Sequence, residues 1–218
     1  HVARAGHGQR VGAGDVAGGV AVCPCPRGRA AAAADRLRGV ARAGRGGAGG
    51  GRAQGRGILA HTINSFAFAR IAFNGQELGE LGIYGLLAGQ YGVPVIAASG
   101  DDQLIAEHQA LLPATRFIQV KQAQGAHSGV SLSPEAACAA IRGGVAQAVA
   151  QAPGAAPLTM AGPIVVDLQT QTVALADLFC QWPTLERLAG DALRFNAPDT
   201  ESAVRMLNGL SAMSSMLR

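Results

Sequence analysis

The chain has 218 residues, of which 49% are hydrophobic and 15% charged, and it carries a formal net charge of +4 at pH 7. This length admits one large or two small domains with a sizeable core. Because no uninterrupted apolar stretch reaches ~18 residues and no signal segment opens the chain, the sequence argues against a membrane-spanning protein and predicts a cytoplasmic one.

The basic character is confined to the first quarter of the chain. Residues 1–57 contain ten Arg and two Asp, a balance of +8, whereas the rest carries eight basic and twelve acidic side chains, a balance of −4. The same segment holds 16 Gly and 14 Ala, with Leu37 as its only leucine. A segment with so little apolar surface cannot offset the entropy lost on ordering its backbone, so we expect residues 1–57 to be disordered.

Two further interpretations of residues 1–57 remain open. A stretch made largely of Gly, Ala, Arg and Pro is what a GC-rich reading frame gives when translated out of phase, and the chain begins with His1, so we expect a mistranslated segment and an incomplete start. The alternative is an Arg/Gly-rich arm that contacts phosphates. Because the aromatic side chains that usually interleave with such arms are missing, nucleic acid is not an expected partner.

The first predicted elements are a strand, a turn and a helix. Phe66 to Phe73 reads as a strand, and Asn74-Gly75 supplies the pair of positive φ angles that a two-residue turn needs. From Leu78 the apolar period changes to that of a helix, which Gly92-Val93-Pro94 ends. Glycines recur along this helix, and they predict close approach of its backbone to another element.

Strands and helices then alternate. Val95 to Ala98 and Phe117 to Val120 read as buried strands. Asp101 to Leu112 reads as a helix whose first carboxylates cap it, and Ser133 to about Gln151 as a helix that a serine cap and a proline open. The alternation predicts an α/β fold, with a partial layer of parallel strands and flanking helices.

The end of the chain reads as a smaller α+β unit. Its predicted elements are a strand over Thr159 to Leu168, a short helix around Leu175 to Phe179, a strand over Ala192 to Phe195 and a final helix from about Asp199 to Leu217. The sequence thus predicts three parts: a low-complexity segment over 1–57, an α/β region over 58–152 and an α+β lobe over 153–218.

Six short motifs occur in a fixed order along the α/β region. They are His61-Thr62, the N-G-x-x-x-G-E-L-G of Asn74 to Gly82, the G-V-P-V of Gly92 to Val95, the G-D-D of Gly100 to Asp102, Val120-Lys121 and Ser133-Pro134. In this order they resemble the DppA-type D-aminopeptidase family of zinc metallopeptidases, from about Gly57 to the C-terminus. The resemblance implies that 58–152 is a truncated α/β region of that family, that 153–218 is its smaller lobe, and that copies assemble into ring-like homo-oligomers.

The resemblance also implies roles for two residues: Glu80 as a zinc ligand, and His61 as a residue that assists catalysis without holding metal. From the residues alone, Glu80 at the junction of a turn and a helix also reads as an exposed capping carboxylate, and His61 before a strand as a hydrogen-bonded structural histidine. Of the other histidines, His108 is expected on the solvated face of its helix and His127 in a loop, without a partner at ligand spacing.

The remaining zinc ligands implied by the family are missing from the N-terminal region. The resemblance implies a strand-borne D-x-E, a D-S-H and a G-Y-H there, and residues 1–57 contain none of them. Since one ligand of five cannot hold two zinc ions against water, we expect zinc not to be retained. The sequence therefore predicts a truncated, inactive homologue of zinc D-aminopeptidases, which release N-terminal D-residues from short peptides. A non-catalytic assembly protein and a nucleic-acid-associated protein with an Arg/Gly arm are the alternatives.

Overall fold

The structure is a computed structural model that describes residues 20–22 and 56–218. The strands are β1 (Val20–Val22), β2 (Phe68–Phe73), β3 (Gln76–Glu77), β4 (Val95–Asp101), β5 (Arg116–Gly125), β6 (Ser128–Ser131), β7 (Ile164–Thr170), β8 (Glu186–Arg187) and β9 (Ala192–Ala197). The helices are α1 (Glu80–Gln90), α2 (Asp102–His108), α3 (Pro134–Gln151), α4 (Val173–Phe179) and α5 (Thr200–Met213), followed by a 3-10 helix over Ser214–Leu217. No helix in the described ranges is long and apolar enough to cross a membrane.

The segment before Gly57 contributes one strand to the described part of the chain. β1 pairs antiparallel with β4, so that Val20 lies opposite Ala98 and Ala21 opposite Ala97. The expectation of disorder over residues 1–57 therefore has an exception at Val20–Val22. For the rest of residues 1–55 that expectation lies outside the described residues, as do the mistranslated segment and the Arg/Gly arm.

The first sheet has the strand order β1-β4-β5-β6. β4 and β5 pair in parallel, whereas the two outer pairs are antiparallel. This confirms that Val95 to Ala98 and Phe117 to Val120 are neighbouring strands. Every residue of β4 is buried, because α3 packs on Ile96 in one core cluster and Leu81 of α1 packs with Val95 in another.

The second sheet is antiparallel throughout and has the order β3-β2-β7-β9-β8. β2 pairs with β7, with Ile71 opposite Leu168, and does not join β4 in the parallel layer. The mixed α/β class is confirmed, and parallel pairing within the described residues is confined to β4 and β5. The second sheet takes strands from both sides of the expected boundary between 152 and 153, so the division into two parts stays a prediction.

The hairpin of β2 and β3 closes on the predicted Asn74-Gly75 turn. Both residues have positive φ, 49° and 80°, as the two-residue hairpin turn requires. Asn74 also bonds Val165 of β7 in both directions, because its Oδ1 accepts from the Val165 N–H at 2.8 Å and its N–H donates to the Val165 carbonyl at 2.8 Å. The turn before α1 is therefore fixed to the second sheet.

Helix α1 contributes to the cores of both sheets. Ile83 joins the large core of the second sheet, while Leu81 packs with Val95 of β4. At Gly89 a Cβ would lie 1.5 Å from the Leu158 carbonyl oxygen, so this approach of two backbones requires glycine. The predicted close approach is confirmed at that position, near the opposite end of α1 from Glu80.

Some element boundaries differ from the sequence prediction. β7 begins at Ile164 rather than at Thr159, because Pro163 has no N–H to give to a sheet. The last helix narrows to a 3-10 helix at Ser214 and so does not continue as an α-helix to Leu217.

The prediction for His108 is wrong. Its side chain is 2% exposed, and its Nδ1 bonds the Leu104 carbonyl at 2.9 Å. Helix α2 ends at His108 instead of Leu112, and a turn follows in which the Leu112 N–H donates to the His108 carbonyl at 2.9 Å. The histidine is therefore enclosed at the end of a short helix and does not lie on the solvated face of a longer one.

Candidate functional site

Glu80 is the first residue of α1 and is half-buried. Its Oε1 accepts a hydrogen bond from the Ile63 N–H at 2.6 Å, and Oε2 makes no hydrogen bond within the described part of the chain. The hairpin before it and the glycine-rich helix after it fix the position of its backbone. In Glu80, Oε1 thus accepts a hydrogen bond from the protein, and Oε2 is the oxygen that can bind a ligand or a proton.

His61 lies in a short segment with unusual backbone angles. Leu59 and Ile63 have positive φ, 52° and 61°, a region that side chains with a Cβ rarely adopt. The His61 Nδ1 bonds the Leu59 carbonyl at 2.8 Å. Since a carbonyl oxygen only accepts, this bond requires the proton on Nδ1 and leaves Nε2 to accept one. In its neutral form, His61 therefore has Nε2 as the ring nitrogen that can accept a proton.

The charge of His61 is one of three effects on the pKa of Glu80. Burial raises the pKa of Glu80, and the hydrogen bond from Ile63 and the positive charge of His61 lower that pKa, with burial the largest effect. The hydrogen bond from Ile63 to Glu80 holds the segment that contains His61 beside the start of α1. The Glu80 carboxyl keeps its proton to a higher pH than an exposed glutamate would.

Tyr84 is a further residue near Glu80 that the sequence analysis missed. It follows Glu80 by one helical turn and is half-buried. Burial raises the pKa of Tyr84, and the negative charge of Glu80 raises it further. Its four-residue spacing from Glu80 on a helix was the available signal, since such pairs lie on one face.

The described residues do not fit a zinc site. Within residues 20–22 and 56–218 no group of three or more His, Cys, Asp or Glu side chains could hold a metal ion. Catalytic zinc takes three protein ligands and a water molecule, and Glu80 with His61 does not supply that set. His127 is exposed in the turn between β5 and β6, and His108 is enclosed beside Leu104.

One Asp-x-Glu does occur in the chain, at Asp199-Thr200-Glu201. The structure places it at the start of α5. Asp199 caps that helix by accepting from the Ser202 N–H at 2.7 Å, which lowers the pKa of Asp199. Glu201 pairs with Arg205 and accepts from the Tyr91 hydroxyl. Both carboxylates therefore hold helices in place and do not form the strand-borne pair that the resemblance implies.

The G-D-D motif of Gly100 to Asp102 has a structural role, because Asp101 caps helix α2, as the sequence analysis predicted. Asp101 is buried, and its Oδ1 accepts from the Leu104 N–H at 2.8 Å while its Oδ2 accepts from the Ile58 N–H at 2.9 Å. Asp102 accepts from the Ala123 N–H at 2.7 Å. Asp101 thus ties α2 to the segment that leads into His61.

Comparisons with known proteins agree on one family. The family described as D-aminopeptidase matches residues 49–209. A curated D-aminopeptidase of Bacillus subtilis (strain 168) is 34% identical over 83 residues, which are 38% of this chain and 30% of that protein. The solved Zn-dependent D-aminopeptidase DppA from Bacillus subtilis, a self-compartmentalizing protease, shares the fold with a TM-score of 0.71 at 24% identity. That match covers 76% of this chain and 60% of DppA, so the chain spans less than two thirds of either relative.

Proposed function

We propose a function from the premise that this chain belongs to the D-aminopeptidase family. Its site chemistry is that of a zinc metallopeptidase homologue directed at short peptides with N-terminal D-residues, with Glu80 as a metal ligand and His61 as the residue that assists catalysis. The 218-residue polypeptide is a truncated form that does not retain zinc and does not turn over such peptides.

The observation that carries this proposal is the count of ligands. Hydrolysis of an amide by this chemistry needs a cation held with an open position, so that bound water loses a proton near neutral pH and the carbonyl is polarised. The described residues offer Glu80, but no group of three ligand side chains, and the motifs expected to supply the others are missing from residues 1–57. A single carboxylate holds zinc poorly, because each missing ligand removes a large part of the affinity.

The test measures metal and turnover in the same preparation. After dialysis of the full chain against a mild chelator, elemental analysis should find sub-stoichiometric zinc, and added zinc should not produce hydrolysis of a D-alanyl amide. Glu80→Gln is the site variant, and Glu77→Gln is the matched control, since Glu77 pairs with Arg70 on the surface at 3.1 Å. Two retained zinc ions, or zinc-dependent turnover lost in Glu80→Gln and kept in Glu77→Gln, would show that the proposal is wrong.

A second candidate is a non-catalytic assembly protein built from copies of this chain. Three large apolar side chains are exposed in the stretch from the start of α4 to the start of β9, called here the surface around α4: Val173 at 52%, Trp182 at 46% and Leu188 at 45%. Tryptophan is enriched in interfaces, and DppA is described as self-compartmentalizing. The mass of the particle in solution, measured by light scattering, tests this candidate. The Arg/Gly-arm alternative depends on residues outside the described ranges, and the cytoplasmic location stays a prediction.

A further inference from the structure

The segment from Leu59 to Asn64, here called the His61 segment, is strained. It contains two non-glycine residues with positive φ, Leu59 and Ile63. Ile63 is β-branched, which makes its left-handed conformation especially unfavourable. Such conformations cost free energy and persist only where the surrounding structure fixes them from several sides. The contacts that hold this segment therefore decide where His61 lies.

Backbone hydrogen bonds hold the segment near both of its ends. The Ile58 N–H donates to Asp101 Oδ2 at 2.9 Å, and the Leu59 N–H donates to the Ala126 carbonyl at 2.8 Å. At the other end the Ile63 N–H donates to Glu80 Oε1 at 2.6 Å. Ile63 has a strained φ, and such a conformation persists only where its neighbours are fixed. We therefore expect its hydrogen bond to Glu80 to depend on contacts that hold Asn64, the next residue.

Asn64 supplies that contact through the end of α5. Its Nδ2 donates to the Ser211 Oγ at 2.9 Å, to the Ser214 Oγ at 3.1 Å and to the Ser211 carbonyl at 3.3 Å. Its Oδ1 accepts from the Phe66 N–H at 3.0 Å and from Arg218 Nη2 at 3.4 Å. The NH2 group of Asn64 therefore donates to residues that lie about 150 positions further along the chain, while its Oδ1 is shared between the nearby Phe66 N–H and Arg218.

Ser211 and Ser214, near the C-terminal end of the chain, are both positioned to accept from Asn64. Ser211 and Ser214 are three residues apart, a spacing that the passage from α-helix to 3-10 helix brings onto one face. Ser214 is 1% exposed, and its Oγ donates to the Ser211 carbonyl at 2.7 Å. The Arg218 guanidinium stacks over the Phe66 ring at 4.8 Å. Hydrogen bonds in such a shielded network are stronger than those exposed to water.

We propose that Asn64 is a positioning residue, and that the C-terminal end of α5 with its 3-10 helix holds the His61 segment against Glu80 through it. The inference rests on the proposed function only for the assignment of His61 and Glu80 to the site. It predicts that loosening the C-terminal end weakens the hydrogen bond between Ile63 and Glu80, although within the described residues no hydrogen bond joins either residue to Ser211 or Ser214.

The experiment uses the full chain, without metal or substrate, and reads the Ile63 amide by NMR. Asn64→Asp keeps an acceptor for Phe66 and Arg218 but removes the donors to the serines. The double variant Ser211→Ala with Ser214→Ala removes the hydroxyl acceptors from the other side. Ser215→Ala is the matched control, because the exposed Ser215 Oγ of the 3-10 helix donates to the Ala212 carbonyl of α5 at 2.8 Å and not to Asn64.

In Asn64→Asp and in the double serine variant, the Ile63 amide proton should shift upfield and exchange with solvent about tenfold faster or more. Ser215→Ala should leave both values unchanged.

A merely structural role would lower the unfolding temperature and alter the amides of residues 211–218 without moving the Ile63 amide, and that result would overturn the proposal. An equal effect of Ser215→Ala would overturn it too. If Asn64→Asp does not fold, the double serine variant decides. Since no zinc or peptide is present, this outcome is independent of the test of the proposed function.

Discussion

Glu80 loses part of its contact with water when the chain folds. The N–H of Ile63 and the charge of His61 favour the carboxylate form, but burial opposes it more strongly, so the pKa of Glu80 rises above its ordinary value of 4.5. A glutamate in this state binds its proton more tightly in the folded chain than in the unfolded one. Its contribution to stability is therefore fully present below pH 4.5 and is lost as the pH rises through the raised pKa.

The free energy of unfolding of the metal-free chain should respond to Glu80→Gln in a pH-dependent way. Glutamine has the same shape, and its Oε1 can still accept from the Ile63 N–H, but it cannot ionise. Well below the ordinary pKa the difference in stability between the variant and the natural chain should not change with pH, and it should shift in favour of the variant as the pH rises above that pKa. Urea unfolding across a pH series measures this difference. Glu77→Gln, which removes a surface ion pair with Arg70, should show no such gain, and a gain for Glu80→Gln that shrinks with pH would contradict the prediction.

Only part of this site could be read from the sequence. Glu80 and His61 stand in short motifs, so a family resemblance could point to them. Tyr84 had only its helical spacing from Glu80, and a tyrosine at that spacing is common. Asn64 had no signal at all, because its partner Ser211 lies 147 residues away, and nothing in either local sequence marks such a pair. Contacts of this kind follow from the tertiary fold.

At the scale of elements, α3 shows how one helix separates into two faces. It is 18 residues long, but its buried residues are Ala137, Gly144 and Ala148. Gly143 is exposed, and a Cβ there would meet nothing within 4 Å. A Cβ at Gly144 would lie 2.4 Å from Ile118 Cγ1 on β5. Adjacent glycines in this helix therefore have different reasons for being small.

Substitution of these two glycines by alanine should change stability in opposite directions. Gly143→Ala removes backbone entropy from the unfolded chain and adds no clash, so it should stabilise by up to about 1 kcal/mol. Gly144→Ala forces Ile118 to shift and should destabilise by about 1–3 kcal/mol. Denaturant unfolding of both variants measures the pair, and each serves as the control for the other. Equal effects would mean that α3 does not pack on β5 as described.

The starts of elements were easier to predict than their partners. Ser133 does cap α3, accepting from the Ala136 N–H at 3.2 Å, and the Asn74-Gly75 turn forms, because these signals act within three or four residues. The partner of β2 was not predictable in this way. Its run of apolar residues suits a buried strand of either sheet, and its pairing is decided by β7, almost a hundred residues later.

Across the whole molecule the apolar core is concentrated in the second sheet. Phe68, Phe73 and Phe179 are fully buried there, and Phe68 and Phe179 have ring centroids 6.0 Å apart. The core between α3 and the first sheet is smaller and rich in alanine. Since hydrophobic stabilisation follows buried apolar area, the second sheet and the helices packed on it form the more stable part. That part also carries the exposed apolar side chains around α4.

The last prediction tests whether this surface joins copies of the chain. If it does, light scattering of the natural chain should give the mass of an assembly of several copies, and Trp182→Glu should give that of a monomer, because an interface would have to bury an unpaired carboxylate there. The variant should still fold, since Trp182 is 46% exposed. Val149→Glu is the matched control, because Val149 is 49% exposed on α3 of the first sheet. A natural chain that is monomeric at all concentrations, or an equal loss of mass in both variants, would mean that the surface around α4 does not drive assembly.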